Sequence, residues 1–574
     1  MPARTEQGAG LRGDRLAIAR ALREMAALLE AAGGEGYRAR AYVRGARALE
    51  HLDDGDLGVL VEQRRLTEVP SIGAGLAAVI AELYETGRSR ALDVARQRVP
   101  AAVLALRAVP GLGRAKIDAL HRQLGIDTVE ALEAACEAGR ARAVSGIGEK
   151  TERRILENIR RMRAARPPRV LLPEAIAEAE FVRAHLRHVE GAETVEIAGD
   201  ARRWAESVDE ISLVVASDRP AETLRDAVRV APLAAVTAVR EAELEGRLAT
   251  GLAVRVRVAP RAALGAALLE ATGPAAHVRR LEARAPAGAL PAAASEAMVY
   301  AALGLPFIAP ELRDDGGEVD AALAGTLAQD LVTEADVQGL VHCHTVYSDG
   351  RHTVAQMARA AEALGMAYLT ITDHSPAAAY AGGLSVERLT AQWEEIERVQ
   401  ETVSVRLLRG TESDILADGS LDYPDDVLER LDVVIASVHR RHRMSPDQMT
   451  DRLVRAMELP CFKIWGHPLG RLVLSRPPVD CRVEEVLDAI ARGRAAVEIN
   501  GDPRRLDLAP EWIRAARQRG IRFVVSTDAH STADFGNLRY GVAMARRGGV
   551  RRDEVLNTLG AEAFARAVRP AGGP

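Results

Sequence analysis

The sequence predicts a multidomain chain, α-helical at first and α/β afterwards, that ends in a closed parallel barrel. Three observations carry this expectation. A short pattern, apolar–Pro/Ser–x–apolar–Gly, occurs at Val69–Gly73, Val109–Gly113 and Val144–Gly148, each time between helical segments. A strand-like alternation, V-R-V-R-V, stands at Val254–Val258. From about Val337 onward, six apolar strand-like runs each end on a histidine or a carboxylate, with amphipathic segments such as Val354–Leu364 and Glu484–Gly493 between them. Alternating strands and helices imply parallel βαβ units, and the strand ends of a closed barrel converge at one mouth.

With 574 residues, the length suggests about four domains. Hydrophobic residues make up 48% and charged residues 27%, an ordinary balance for a soluble chain. No apolar run is long enough to span a bilayer and the start has no signal-peptide pattern, so a cytoplasmic monomer without a membrane partner is expected. Cys136, Cys343, Cys461 and Cys481 form no C-x-x-C pair, which speaks against a disulfide framework or a zinc ribbon. The net charge of −5 gives no global push toward nucleic acid, and lysine occurs only at Lys116, Lys150 and Lys463.

In chain order, residues 14–62 read as helices, with Leu16, Ile18, Ala19, Leu22 and Met25 at helical spacing. The three repeats follow. Their glycines (Gly73 and Gly75, Gly111 and Gly113, Gly146 and Gly148) permit a tight turn. The free N–H groups of the next helix can then hold a phosphate oxygen, and Lys116 and Lys150 stand at such helix starts. A single copy would mean only a turn between packed helices. Three copies resemble helix-hairpin-helix motifs, which imply DNA as partner, held by its backbone without sequence preference.

In the last part, His342 and His344 sit two apart in V-H-C-H-T-V-Y-S-D-G, so on a strand both would face one point, with Asp349 following on a turn. Later strand ends supply Asp373 and His374, Glu412 and Asp414, His439, His467, and Asp528 and His530. Any one of these is unremarkable as a polar strand cap. Together they suit a metal cluster, since imidazole and carboxylate bind Zn, Mn or Fe and such ions activate water against a phosphoryl group.

The motifs H-C-H-T-V-Y-S-D-G, I-T-D-H-S, G-T-E-S-D-I-L, A-S-V-H, W-G-H-P-L-G-R and S-T-D-A-H together resemble the PHP (polymerase and histidinol phosphatase) domain, a distorted (β/α)7 barrel. The resemblance implies a site for three divalent ions, Mn2+ or Zn2+ with Fe as a further candidate. Its ligands would be His342, His344, Asp349, His374, Glu412, His439, His467, Asp528 and His530, with Glu412 bridging. Asp373 and Asp414 would orient ligands. Asp528, His439 and Arg471 would carry catalysis, and Arg440, Arg441 and Arg443 stand near the mouth as phosphate contacts. His442 reads as loop. Leu340 stands where relatives carry Asp, so a supporting contact would be missing.

Hairpin repeats ahead of such a domain resemble the bacterial family X DNA polymerases. The order implied is an N-terminal helical domain (1–90), a fingers-like domain (91–167), palm (168–262), thumb (263–325), linker (326–336) and PHP domain (337–574). Y-A-A-L-G-L-P-F-I-A-P-E-L-R at Tyr300–Arg313 matches the thumb. The palm departs from the family. Where the family places its metal-binding aspartates, this chain carries Glu210, Ser212 and Arg255. Nucleotidyl transfer needs two Mg2+ ions on paired carboxylates, and a serine and an arginine cannot hold them. A polymerase-dead palm is therefore expected. The N-terminal region also lacks the lysine needed for deoxyribose-phosphate lyase chemistry, Val79 standing near its place.

The expected function is a DNA-binding, metal-dependent phosphoesterase, a 3′→5′ exonuclease with cleavage at abasic sites as a further activity. The alternatives are a phosphatase for small esters, an active gap-filling DNA polymerase should the palm still hold metal, and a non-catalytic DNA-binding scaffold.

Overall fold

The structure, a computed structural model, describes residues 15–32, 36–50, 52, 54–98, 106, 109, 112–126, 128–164, 168–248 and 250–570. The chain divides into two compact units, residues 1–315 and 316–574. The expected thumb end at residue 325 thus falls inside the second unit.

In the first unit, helices including Arg15–Ala32, Gly36–Glu50, Ala74–Thr86, Arg114–Leu124 and Glu149–Ala164 share one apolar core. The three repeats share one backbone hydrogen bond. Ile72, Leu112 and Ile147 each donate a backbone hydrogen bond to the carbonyl three residues back, at 3.1, 3.2 and 3.0 Å. Their apolar anchors are buried, so the turn is fixed from beneath by packing. Gly146 sits at φ 82° and Ser71, its counterpart in the first repeat, at φ 75°. A β-carbon is disfavoured there, so Ser71 is a strained substitute.

Seven short strands follow: β1 (Val170–Leu171), β2 (Thr194–Ala198), β3 (Ser207–Val208), β4 (Glu210–Ala216), β5 (Ala235–Val239), β6 (Glu243–Arg247) and β7 (Ala253–Ala259). β1 and β3 pair antiparallel, and the others form a five-stranded sheet in the order β2-β4-β7-β6-β5. β4 and β7 run parallel with Ser212 opposite Arg255. Beyond the sheet, Glu296 on the helix Glu296–Ala302 accepts from Arg202 and from fully buried Arg313, both at 2.6 Å for their closest contacts.

The second unit contains β8 (Gly339–Leu340), β9 (Tyr368–Ile371), β10 (Arg406–Asp414), β11 (Val433–Ser437), β12 (Lys463–Trp465), β13 (Ala495–Asn500) and β14 (Phe523–Ser526). All pair in parallel, in sequence order. Just past β8 and β14, Ala529 accepts from His344 N at 2.8 Å and donates to the His342 carbonyl at 3.0 Å, which closes the ring. The expected seven-stranded barrel is present.

Strand parity explains where the site lies. Tyr368, Leu408, Val433, Ile435, Ile464, Ala496 and Val524 form the interior core, together with Phe564 and Val568 of the C-terminal helix Ala561–Val568. Phe564 stacks on Tyr368 with centroids 4.7 Å apart, and Phe462 N donates to Pro570 O, so this segment stoppers the end where the strands begin. Counting on in twos within β10 and β13 reaches Glu412 and Glu498, while His374, His439 and Asp528 lie just past the ends of β9, β11 and β14. The interior face that is apolar at one end is therefore polar at the other.

Candidate metal centre

Glu412 is the hub. Fully buried at the end of β10, its Oε1 lies 2.7 Å from His467 Nε2 and 3.2 Å from His439 Nε2. Its Oε2 lies 2.9 Å from His374 Nδ1, 3.4 Å from His342 Nε2 and 3.7 Å from His344 Nε2. Asp528 Oδ1 stands 3.4 Å from His344 Nε2 and 3.6 Å from His342 Nε2. Asp349 Oδ1 completes the other side, 3.4 Å from His530 Nε2 and 3.6 Å from His374 Nε2. All nine side chains named from the sequence thus meet in one pocket. Four overlapping donor groups arise, each with its ligand atoms within 4.8 Å of one another.

The donor set fits a cation. His342 Nε2, both nitrogens of His344, His374 Nδ1 and Glu412 Oε2 are buried yet make no hydrogen bond. Orphaned buried polar atoms are costly. Here their lone pairs converge on shared points instead of on each other's protons, the arrangement that a divalent ion would satisfy. Supporting contacts fix the ring faces. Glu498 accepts from His342 Nδ1 at 2.5 Å, Asp414 from His439 Nδ1 at 3.1 Å, and the Asp528 carbonyl from His530 Nδ1 at 2.9 Å. A proton held at Nδ1 leaves Nε2 as the free donor.

The electrostatics couple the carboxylates to the imidazoles. Burial alone would raise the Glu412 carboxyl, but His439, His374, His342 and His467 hold it well below the usual range. Burial likewise opposes ionisation of Asp528, and His342, His344 and Arg505 reverse it. Burial and two neighbouring imidazoles, His530 and His374, push His344 down to about 3. Burial works against His374 too, yet Glu412 and Asp349 lift it to about 10.

Several details differ from the sequence expectation. His342 and His344 do not lie on a strand: β8 ends at Leu340, and His342 takes φ 65°. His467 and Asp528 are also left-handed, at φ 23° and 49°. Strained backbone at three donors turns each side chain inward after its strand has ended. Asp373 orients no histidine. It is buried against Thr345 N and Oγ1, at 2.8 and 2.7 Å, and against Ser348 and Gln392, so it fixes the loop that carries Asp349. Arg471 does not face the site either. Its guanidinium donates to the carbonyls of Arg505 and Leu506 and braces that loop. Arg440, His442 and Arg443 are exposed on their loop, whereas Arg441 donates to Gly470 O and Pro477 O, both at 2.8 Å.

Glu498 was not foreseen. It supplies His342 with a carboxylate where Leu340 cannot, and its second oxygen accepts from His467 N. The signal was the E-I-N ending of β13, a seventh strand end of the same polar kind. Arg505, paired with Asp528 at 3.1 Å, was missed as well.

The palm positions are also filled. Arg255 makes a two-point contact with Glu210, Nε–Oε1 at 2.9 Å and an NH2–Oε2 distance of 3.2 Å, and reaches Glu245 at 2.9 Å. Ser212 donates to Glu210 at 3.3 Å. A guanidinium stands among the carboxylates that a metal would need. In the hairpin repeats, Gly73, Gly75, Gly113 and Gly148 have open space where a β-carbon would point. Lys150 is exposed and Lys116 half-buried at their helix starts, while Gly111 lies outside the described residues.

Comparison with known proteins agrees with this layout. A helix-hairpin-helix domain matches residues 14–89, a SAM-like helix-hairpin-helix tandem residues 103–161, and the PHP domain residues 341–502. The DNA polymerase/3′-5′ exonuclease PolX of Bacillus subtilis (strain 168) is 31% identical over 94% of this chain and 96% of its own length. A probable phosphatase of Thermoanaerobacter sp. (strain X514) is 30% identical over 38% of this chain and 89% of its own. Another, from Caldanaerobacter subterraneus subsp. tengcongensis, is 30% identical over 38% and 85%. Among the described residues no helix is long and apolar enough to cross a membrane. With helix-hairpin-helix matches at its start, a PHP match towards its end and a relative matched along nearly its whole length, the chain belongs to the bacterial family X DNA polymerases with a C-terminal PHP domain.

Proposed function

We propose that this protein is a DNA-binding, metal-dependent phosphoesterase that removes nucleotides from DNA 3′ ends at the barrel site, and that its palm no longer polymerises. The observation that carries this is the buried, converging set of orphaned imidazole nitrogens around Glu412. His342, His344, Asp349, His374, Glu412, His439, His467, Asp528 and His530 would hold the divalent ions, three of them, Mn2+ or Zn2+. Bound there, such ions supply Lewis acidity toward the phosphoryl oxygens and acidify water near neutral pH.

The chain's own residues prepare that chemistry. Glu498 and Asp414 keep the protons of His342 and His439 at Nδ1. His439 borders an open cleft, and Asp528 reaches it through Arg505, so both are assigned to fixing the reacting phosphate against the cluster. Arg471 acts by holding the Arg505 loop. The hairpin glycines, with Lys116 and Lys150, would grip the DNA backbone, and the setting is a monomer in the cytoplasm working in DNA repair.

A 5′-labelled primer on gapped DNA, with Mn2+ and all four deoxynucleotides, tests the reading. The expected result is a shrinking ladder, abolished by His342→Ala or Asp528→Ala. Extension of the primer would refute the dead palm. A second reading, a phosphatase for small esters, draws on the probable phosphatases that match the barrel alone. An unchanged primer together with turnover of a small phosphomonoester would favour it.

A further inference from the structure

Beside the metal centre lies a cleft of about 370 Å3, bordered by His439 and His467 on the cluster side and by Tyr380, Arg476, Arg504 and Arg505 elsewhere. Its size falls within the span of small-ligand pockets, ~300–1,000 Å3. An inorganic phosphate alone would leave most of it empty. Tyr380 is 67% exposed, and among the described residues only one other large aromatic, Phe307, is as open as 41%. An aromatic ring left in water beside a reaction centre forgoes the burial such rings normally gain. Its centroid is 6.2 Å from the His439 ring, edge-on, and 6.4 Å from the His374 ring, so it stands at the rim of the cluster.

The platform is held in place. Tyr380 lies in the turn Ala379–Ala381, and the segment after it is pinned by Arg388, which donates to Gly382 O at 2.7 Å, and by Tyr423 Oη, which donates to Leu384 O at 2.6 Å. The rest of the lining is cationic on balance: Arg441, Arg476, Arg504 and Arg505 outnumber Asp502, which lies 3.4 Å from Arg504 and 3.8 Å from Arg505. Burial and repulsion from Arg441 and Arg505 depress the Arg476 guanidinium, so these groups crowd one another until an anion enters. Arg505 is anchored through Asp528, which ties the wall to the metal centre. An exposed ring and guanidiniums lining one cleft are the two elements by which proteins hold single-stranded nucleic acid.

We propose that this cleft is a nucleotide subsite: the base of the 3′-terminal nucleotide stacks on Tyr380, and Arg476, Arg504 and Arg505 receive the phosphates beside it. The inference rests on the exonuclease reading and deepens it. It makes Tyr380 the residue by which the site distinguishes a nucleotide from a bare sugar phosphate.

The test uses the full chain with Mn2+ and single-stranded oligonucleotides ending in a normal 3′ nucleotide or in a base-lacking tetrahydrofuran residue. The kcat/KM ratio between these ends should fall about tenfold in Tyr380→Ala, the lower range of base–aromatic stacking, and be kept in Tyr380→Phe and Tyr380→Trp. Equal loss on both ends, or loss on neither, would overturn the subsite. Calorimetry with dAMP and deoxyribose 5-phosphate supplies a readout independent of turnover. A preference for dAMP that disappears in Tyr380→Ala supports the proposal, and no preference in the wild-type chain overturns it. Were the wild-type chain to shorten neither oligonucleotide, the exonuclease reading would fall, and the calorimetry would still decide whether the cleft binds a nucleotide.

Discussion

Glu498 shows how much one residue decides at this site. It is fully buried, it fixes the tautomer of His342, and it also accepts from the backbone of His467. Replacing it by Gln keeps the shape but places an amide where a charge now sits against an imidazole. Supporting carboxylates of this kind are worth ~10–100-fold in metal affinity. Glu498→Gln should therefore weaken Mn2+ binding by that factor in a calorimetric titration, while hydrogen exchange in the strands stays as it was. Unaltered affinity would mean that Glu498 only fills space. Glu412→Gln should be more severe, because one carboxylate faces five imidazoles; exonuclease activity should drop by at least about 100-fold, beyond the effect of a supporting residue. The sequence exposed Glu412 through its motif and concealed Glu498. A carboxylate two strands round the barrel from the histidine it serves, 156 positions along the chain, leaves no local pattern.

At the scale of elements, the barrel was legible because each strand writes its own signal: an apolar run, a polar end, then an amphipathic helix. Backbone direction was not legible. Residues i and i+2 share a face only while the strand lasts, and β8 stops before His342. The guanidinium of Arg471 was equally hidden, since sequence places it near the mouth but cannot say that two backbone carbonyls hold it. In the first unit, Glu296 ties the palm to the segment after it through Arg202 and Arg313. Burial disfavours its charge, but the two arginines hold its pKa below the ordinary value. A depressed carboxylate contributes stability above its unfolded pKa, ~4.3, and loses it as the pH falls through the folded value. Removing it strands the fully buried Arg313. Glu296→Gln should thus cost about 3–5 kcal/mol, visible as faster hydrogen exchange across β4 and the Glu296–Ala302 helix. The difference from the native chain should shrink in acid. A gap that stays constant with pH would show that geometry, not charge, makes the contact.

For the whole molecule, one chain holds two carboxylate-rich sites, and they balance that charge in opposite ways. In the barrel, buried carboxylates face imidazoles whose nitrogens lack partners. In the palm, Glu210, Glu243 and Glu245 surround Arg255, and the side chain that sits at a metal position is itself the cation. The Glu210 hydrogen bond raises the Arg255 guanidinium further, against the effect of burial. The exchange predicts a specific response. Arg255→Asp would put four carboxylates on neighbouring strand positions, countered only by Arg257 at Glu243 and Arg240 at Glu245. Several half-exposed ion pairs would be lost, each worth ~0.2–1 kcal/mol, and like charges would repel in their place. The variant should melt lower than the native chain in metal-free buffer. Millimolar Mg2+ should restore part of that loss, because a ligand that binds the folded form stabilises it by mass action. The native palm should gain nothing from Mg2+, and since the barrel ions could mask the change, the melt is best read from hydrogen exchange within β4, β6 and β7. Rescue by Mg2+ would establish Arg255 as the occupant of a former metal position. Equal responses of native and variant palms would mean that Arg255 is an ordinary strand cation and gives no ground for a dead palm.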